Sequence, residues 1–472
     1  MRKTKIICTL GPASSTYEQL KKMALAGMDV VRINMSHGTH AEHLEKINIV
    51  KKIREELNLP LPIMIDTKGP EVRIGNFKNG FTDIVDGQQF DFYMDNIVGD
   101  EHKVSVTYNG LYRDVKAGSN LLLNDGLMTF IIDSVDMDAK IIHTTSQCSG
   151  KLSNHKGMYC PGTTLSLPFL TDADKIDLQF AMDVNAEAVA ASFVGSGDNM
   201  REIRDFFFTR GVKNICLISK IECQNGLDNI DGIIDESDGV MVARGDLGVE
   251  VPYEKLPALQ KFLITSSRLK GKFVITATEM LESMISKPRP TRAEIIDVAN
   301  AVYDGSSCVM LSAETAVGID PANAIATMAR IAVEAEKNTD YYEMYRTTPF
   351  KPLSNTDAIS HAAVNTTFDI GAKAIVVYTA SGVSARMISR FRPSCPIIAC
   401  TSNPTVYHQL SLSWGVIPCM CESYKKAEAM FAHAASEAIK LGVAKADDTI
   451  LITAGLPLGT GAGTNLIKIE EL

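Results

Sequence analysis

Two kinds of apolar run alternate along the chain. Lys5 to Thr9, Asp29 to Asn34 and Ile63 to Asp66 are short and nearly continuously apolar, as strands buried on both faces must be. The stretches between them carry apolar residues three and four apart, which predicts amphipathic helices. Ser15 with Glu18, and Thr39 with Glu42, each read as a capping box at a helix start. Leu20, Met23 and Ala24 form the apolar face of the first helix before Gly27 ends it. Leu44, Ile47, Ile53 and Leu57 form that of the second before Pro60 and Pro62. Such alternation predicts a parallel sheet covered by helices.

Between about Glu71 and Leu167 the helical period vanishes. Val, Ile, Thr and Phe mix there with Asn79-Gly80, Asp86-Gly87, Asn109-Gly110 and Asp125-Gly126, dipeptides that favour tight hairpins, so this stretch predicts an inserted small β-barrel. From Thr171 the alternation resumes, with strands at Ala188 to Ser192, Ile215 to Ser219, Gly239 to Ala243, Phe273 to Thr276 and Cys308 to Leu311, and a third capping box at Thr291 and Glu294. Eight strands and roughly 245 residues outside the insert match the ~250 of a (β/α)8 TIM barrel. Residues 338–355 are aperiodic with two prolines and predict a linker. Beyond them, apolar runs at Ala374 to Tyr378, Ile397 to Cys400, Val416 to Cys419, Ile450 to Thr453 and Leu466 to Ile469 alternate with helices, the longest at Lys425 to Leu441, and predict an open α/β domain. The expected division is a catalytic barrel of residues 1–70 and 169–340, a lid of residues 71–168, and a regulatory domain of residues 341–472.

Composition narrows the class. A hydrophobic fraction of 45% over 472 residues suits several packed cores, and a net charge of −9 argues against nucleic acid or an anionic membrane as the main partner. The basic start (Arg2, Lys3, Lys5) is followed by an apolar stretch cut at Gly11-Pro12, too short for a signal-peptide core, and no run reaches the ~18 apolar residues of a membrane span. The ten cysteines show no zinc-ligand spacing; they read as buried free thiols of a reducing cytoplasm, with no chemistry assigned.

In a TIM barrel the active site lies at the C-terminal strand ends, and there the polar residues gather. The second strand delivers Arg32, Asn34, Ser36 and His37, and the third Asp66 and Thr67. The fifth delivers Lys220 and Glu222, the sixth Arg244 to Asp246, the seventh Thr276 and Thr278, and the eighth Ser312 and Glu314. Lys220 and Glu222, two apart on one strand, face the same way, and Asp246 reaches them from the next strand. One ammonium beside two carboxylates suits a divalent cation and a phosphorylated anion, although an ordinary strand-end ion pair has the same residues. Arg32 can hold a phosphate bidentately or pair with a neighbouring carboxylate. Asn34, Ser36, Asp66 and Thr67 offer neutral oxygens with one carboxylate, as a monovalent cation or a hydrogen-bond network would use. Gly245 allows close backbone approach to a ligand, or makes a strand-to-helix turn. Thr278 opens an expected helix to Ile285, as a cap or a proton relay. In the last domain, Thr379-Ala380-Ser381-Gly382-Val383-Ser384 has the form of a phosphate nest or a plain cap, and Gly459 to Gly463 that of a flexible loop able to close over a ligand there or simply to turn.

RINMSHG (Arg32 to Gly38), DTKGPEVR (Asp66 to Arg73), SKIE (Ser219 to Glu222), VARGDLGVE (Val242 to Glu250), TEMLESMI (Thr278 to Ile285) and PRPTRAEIIDVANAVYDG (Pro288 to Gly305) together resemble the pyruvate kinase family. The resemblance implies phosphoryl transfer from phosphoenolpyruvate to ADP, giving pyruvate and ATP. It implies Mg2+ on Glu222 and Asp246, and K+ on Asn34, Ser36, Asp66 and the Thr67 carbonyl. Lys220 is implied to stabilise the moving phosphoryl and the enolate, Arg32 to hold phosphate, the Gly245 and Asp246 amides with Thr278 to hold the substrate carboxylate, and Thr278 to assist enolate protonation. Arg73, His37 and Lys156 are implied at the nucleotide, and Thr379, Ser381, Gly382 and Ser384 at the phosphate of a sugar-phosphate or AMP-type effector. Glu71 goes with a potassium requirement. A homotetramer is also implied, of the bacterial type without an extra C-terminal domain. Met35, Cys223, Glu279, Ala313 and Val317 depart from the family's usual residues, and none is a named ligand. A magnesium-dependent pyruvate lyase barrel and a catalytically silent metabolite sensor are the competing readings.

Overall fold

A computed structural model describes residues 1–459 and 462–472. Eight parallel strands close into a barrel in the order Lys5–Thr9, Val30–Asn34, Ile63–Asp66, Ala188–Ala191, Cys216–Ile221, Gly239–Ala243, Phe273–Ala277 and Cys308–Leu311, with the last pairing back onto the first. Every expected barrel strand is present, within two residues at each end.

Side-chain parity explains what the barrel contains. Ile7, Val30, Met64, Ala190, Ile218 and Met310 belong to one buried cluster inside the ring. Their neighbours in sequence belong to the larger cluster between the strands and the helices. Because successive side chains alternate, the next inward residues are two positions further on: Thr9, Arg32, Asp66, Ser192 and Lys220. The apolar interior therefore turns polar at one level, on several strands at once.

The helices bear out two capping boxes and correct one. Thr39 with Glu42 and Thr291 with Glu294 cap as expected, but the first helix, Tyr17–Ala26, is capped by Thr16, while the Ser15 hydroxyl bonds the Pro12 carbonyl. In the helix His40–Leu57, Ile47, Val50 and Ile53 are buried, whereas Leu44 turns outward, 42% exposed. No helix opens at Thr278; a 3-10 turn forms only at Glu282–Ile285. The stretch taken as a linker contains a helix, Tyr341–Thr347, whose Tyr345 is buried. It lacks a long apolar period because scattered aromatic side chains anchor it, Tyr341 on Trp414, Tyr342 on Phe368 and Tyr345 on Phe391.

The insert forms a six-stranded sheet and a two-stranded ribbon over one core centred on Phe90, Phe92 and Phe130. Isolated bridges at Arg73↔Gly157 and Ile74↔Val106 tie its two chain ends to it. Asn124, Asp125 and Gly126 take positive φ in the turn between Asn120–Leu123 and Met128–Asp136. Asn109-Gly110 makes no hairpin; Gly110 is right-handed and starts a single helical turn, Leu111–Asp114.

The C-terminal sheet runs Val416–Met420, Ile397–Thr401, Ile375–Tyr378, Thr449–Ala454, Leu466–Glu471, with only the last strand antiparallel. This domain seals the opposite mouth of the barrel. Leu412, fully buried, joins the barrel's interior cluster. The Lys5 ammonium donates to the Val416 carbonyl at 2.7 Å, and Arg392 to the Gly305 carbonyl at 2.6 Å and the Ser307 hydroxyl at 3.2 Å.

Candidate active site

At the C-terminal mouth the Lys220 ammonium lies 2.9 Å from Glu222 Oε1 and 3.1 Å from Asp66 Oδ1, and donates to Ser192 Oγ at 2.6 Å. Burial alone would favour its neutral form, but Asp66 and Glu222 outweigh burial and hold its pKa well above the ordinary value. Asp66, fully buried, also takes the Arg32 Nε at 2.6 Å, while Arg32 Nη1 donates to Thr9 Oγ1 at 2.9 Å. Burial would raise the Asp66 carboxyl, yet Arg32 and Lys220 prevail and lower it.

Glu222 is less well compensated. Its Oε2 accepts the Phe193 amide at 2.6 Å, but burial and the nearby Asp246 raise its carboxyl to about 7 despite Lys220. Asp246 accepts the Tyr159 hydroxyl at 2.8 Å, and Glu250, half-buried, is likewise raised to about 7 by desolvation and then by Asp246. Four acids, Asp66, Glu222, Asp246 and Glu250, against two cations, Lys220 and Arg32, leave the cluster short of positive charge. Carboxylate oxygens in such surroundings fit a hard divalent cation, which Glu222 and Asp246 could hold.

Thr278 sits in a strained turn. It and Glu279 have φ of 67° and 54°, each costing about 1–2 kcal/mol in a residue with a Cβ. Arg244 offsets this: its guanidinium donates to the Thr278 carbonyl at 2.5 Å and pairs with Asp297 at 2.7 Å. The Thr278 hydroxyl accepts the Gly245 amide at 2.8 Å, so that amide and the hydroxyl share one spot at the mouth.

Asn34 Oδ1 accepts the Ser36 amide at 3.1 Å, and the Thr67 carbonyl accepts the Ser192 hydroxyl at 2.7 Å. These neutral oxygens lie on the adjacent strands that carry Asn34 and Asp66 in register. A cavity of about 450 Å3 opens between barrel and insert, lined among others by Arg73, Lys156, Tyr159, Asn199 and Glu250. Arg73 pairs with Glu71 at 2.6 Å. His37 does not line this cavity; its carbonyl accepts from His43. Glu314 is a buried latch for the Leu281 and Ser312 amides rather than a group facing the mouth.

Sequence reasoning passed over Ser192, Tyr159 and Arg244's clamp on the Thr278 turn. Ser192 was findable, since parity along its strand places it beside Lys220. Tyr159 had no signal, because its position depends on how the insert folds back.

In the C-terminal domain Thr379 Oγ1 accepts the Gly382 amide at 3.0 Å and Ser384 Oγ accepts the Thr464 hydroxyl at 2.5 Å. Ser381 is exposed, whereas Gly382 is buried in the turn. The Gly459 to Gly463 loop expected to close over them includes Thr460 and Gly461, outside the described residues.

A closed β/α barrel whose strand ends bring lysine, arginine and carboxylates to one point, beside a cavity under an inserted sheet domain, is the architecture of a phosphotransferase. Residues 1–325 match the family described as pyruvate kinase, barrel domain, and residues 357–470 match pyruvate kinase, alpha/beta domain. A pyruvate kinase from Sporosarcina psychrophila is 44% identical over all of this chain and 81% of its own length; one from Clostridium perfringens is 42% identical over the whole of both. The crystal structure of a pyruvate kinase from Cryptosporidium parvum superposes with a TM-score of 0.93 at 37% identity, covering 100% of this chain and 96% of that one. The chain belongs to the pyruvate kinase family. Its family uses a divalent and a monovalent cation.

Proposed function

We propose that Lys220, with Arg32, Thr278 and the carboxylates of Glu222 and Asp246, carries the chemistry of this pyruvate kinase. The reaction is phosphoryl transfer from phosphoenolpyruvate to ADP, yielding pyruvate and ATP as the last step of glycolysis. The observation that carries the assignment is the Lys220 ammonium, buried yet held charged between Asp66 and Glu222 at the barrel mouth.

Phosphoryl transfer needs alignment and countercharge more than covalent help. Arg32 and Lys220 supply fixed positive charge to the phosphate, and Lys220 stabilises the enolate oxygen left after transfer. The Gly245 and Asp246 amides and the Thr278 hydroxyl hold the substrate carboxylate, and Thr278 assists protonation of the enolate. Glu222 and Asp246 would hold Mg2+, which when bound neutralises phosphate oxygens and relieves the crowded acids. Asn34, Ser36, Asp66 and the Thr67 carbonyl would hold K+. Arg73 and Lys156, facing the cavity from the insert, bind ADP, and His37, which does not line that cavity, is left out of the nucleotide site. The lid, residues 71–168, excludes water from the phosphoryl, a role supported by Tyr159 reaching from it to Asp246.

The C-terminal domain, residues 341–472, takes a sugar-phosphate or AMP-type effector at Thr379, Ser381, Gly382 and Ser384. A Cβ built on Gly382 would stand 3.1 Å from Arg386 Nη1, which supports a cation at that turn. A homotetramer in the cytoplasm completes the reading; among the described residues no helix is long and apolar enough to cross a membrane. A coupled assay for ATP formed from phosphoenolpyruvate and ADP tests the assignment, and a lyase or silent sensor would make none. Replacing K+ by a tetraalkylammonium salt tests the monovalent site: turnover should fall sharply, and undiminished turnover would remove it.

A further inference from the structure

The C-terminal sheet and the helix Ala427–Lys440 enclose a group of soft donors that the phosphotransfer site does not use. Cys419 lies buried in the strand Val416–Met420, and Cys421 follows just past its end. Cys400, in register with Cys419 on the neighbouring strand, belongs with it and the partly buried Cys421 to one packed cluster. From the helix come His433 and Glu437, one turn apart. Cys419 Sγ, a ring nitrogen of His433 and a carboxylate oxygen of Glu437 lie within 4.8 Å of one another. Donors around a tetrahedral zinc are about 3.5 Å apart, given metal–ligand bonds of about 2.0–2.3 Å, so small side-chain rotations close the set.

The neighbours of His433 decide its tautomer. Tyr378 donates its hydroxyl proton to the Met430 carbonyl at 2.8 Å, so towards His433 Nδ1, 2.7 Å away, it can only accept. Nδ1 therefore carries the proton and Nε2 keeps its lone pair. No donor among the described residues reaches Nε2. A histidine held through one nitrogen by an oxygen, with the other nitrogen free, is the arrangement found behind metal-bound imidazoles. Glu437 is buried, and among the described residues its carboxylate pairs with Lys440 from outside, at 3.1 and 3.2 Å, an exposed ammonium that an incoming cation displaces.

We propose that Cys419, His433 and Glu437 bind one thiophilic divalent cation, of the zinc class, with Cys400, Cys421 or water as the fourth donor. A thiolate, an imidazole and a carboxylate select zinc over magnesium, whereas the all-oxygen donors of Glu222 and Asp246 do the reverse.

The test uses the full chain stripped with a chelator, then titrated with Co2+ in excess Mg2+, which keeps the oxygen site filled. One equivalent of Co2+ should raise a thiolate-to-cobalt charge-transfer band, and Zn2+ should bleach it. Competition against a chromophoric chelator should give one tight zinc per chain, weakened about 100-fold or more by Cys419→Ser or His433→Gln and about 10-fold by Tyr378→Phe. Retained ATP formation in these variants shows that they fold. Absence of the band in the unaltered protein, or equal zinc binding by Cys419→Ser, overturns the site.

Discussion

The two mouths of the barrel are formed by the same eight strands and are built on opposite terms. At the N-terminal mouth, Leu412 fills the ring among apolar side chains, and the Arg392 guanidinium ends on the Gly305 carbonyl and Ser307 hydroxyl. At the C-terminal mouth, acids outnumber bases, Glu222 and Glu250 are pushed up to about 7, and Thr278 and Glu279 occupy left-handed backbone. One end is made for stability, and the other holds charge and strain for a ligand to relieve. The same strand can serve both because an inward side chain recurs every second residue, apolar below and polar above.

If this contrast holds, damage at the two ends must separate rate from stability. The largest effect is expected from Lys220→Met, which should lower kcat roughly 10³-fold with little change in KM for phosphoenolpyruvate, because its charge acts most in the transition state. Steady-state kinetics check this, and equal losses in binding would count against the assigned role. At the other mouth Leu412→Ala should cost about 3 kcal/mol by emptying a buried site, seen as a lower thermal unfolding midpoint, while kcat of the folded enzyme stays near its original value. A large kcat loss there would dissolve the contrast.

Tyr159→Phe sharpens it on the active side. Losing the hydroxyl on Asp246 should weaken the apparent affinity for Mg2+ about 10-fold, read from activity against Mg2+ concentration, with no change in unfolding midpoint. The smallest effect belongs to Thr291→Ala, which removes one helix cap without touching a proposed ligand group. About 1 kcal/mol of stability should be lost, measured by denaturant titration, with kinetics unchanged.

Much of this organisation was legible before any coordinates. The barrel strands could be read because each is a buried apolar block, and the Lys220–Glu222 contact because residues two apart on a strand share a side. Turns were read less well. Asn109-Gly110 starts a helix instead of a hairpin, and Thr278 occupies a strained loop instead of a helix start, because each conformation is imposed by distant partners, in the second case Arg244. The soft donors near His433 were invisible to spacing for a similar reason: Cys400, Cys419 and His433 come from three elements that only packing brings together.

The order of strands and helices, the inward parity of Arg32, Asp66 and Lys220, and the family of the chain follow from the sequence by itself, since all depend on local periodicity or on contiguous runs of residues. Tertiary structure alone decided that Tyr159 crosses from the lid to Asp246, that His37 stays away from the cavity holding Arg73 and Lys156, and that Leu412 plugs the far mouth. Those contacts join segments far apart along the chain, and their geometry is set by the closure of the ring and the docking of whole domains, quantities that no local pattern encodes.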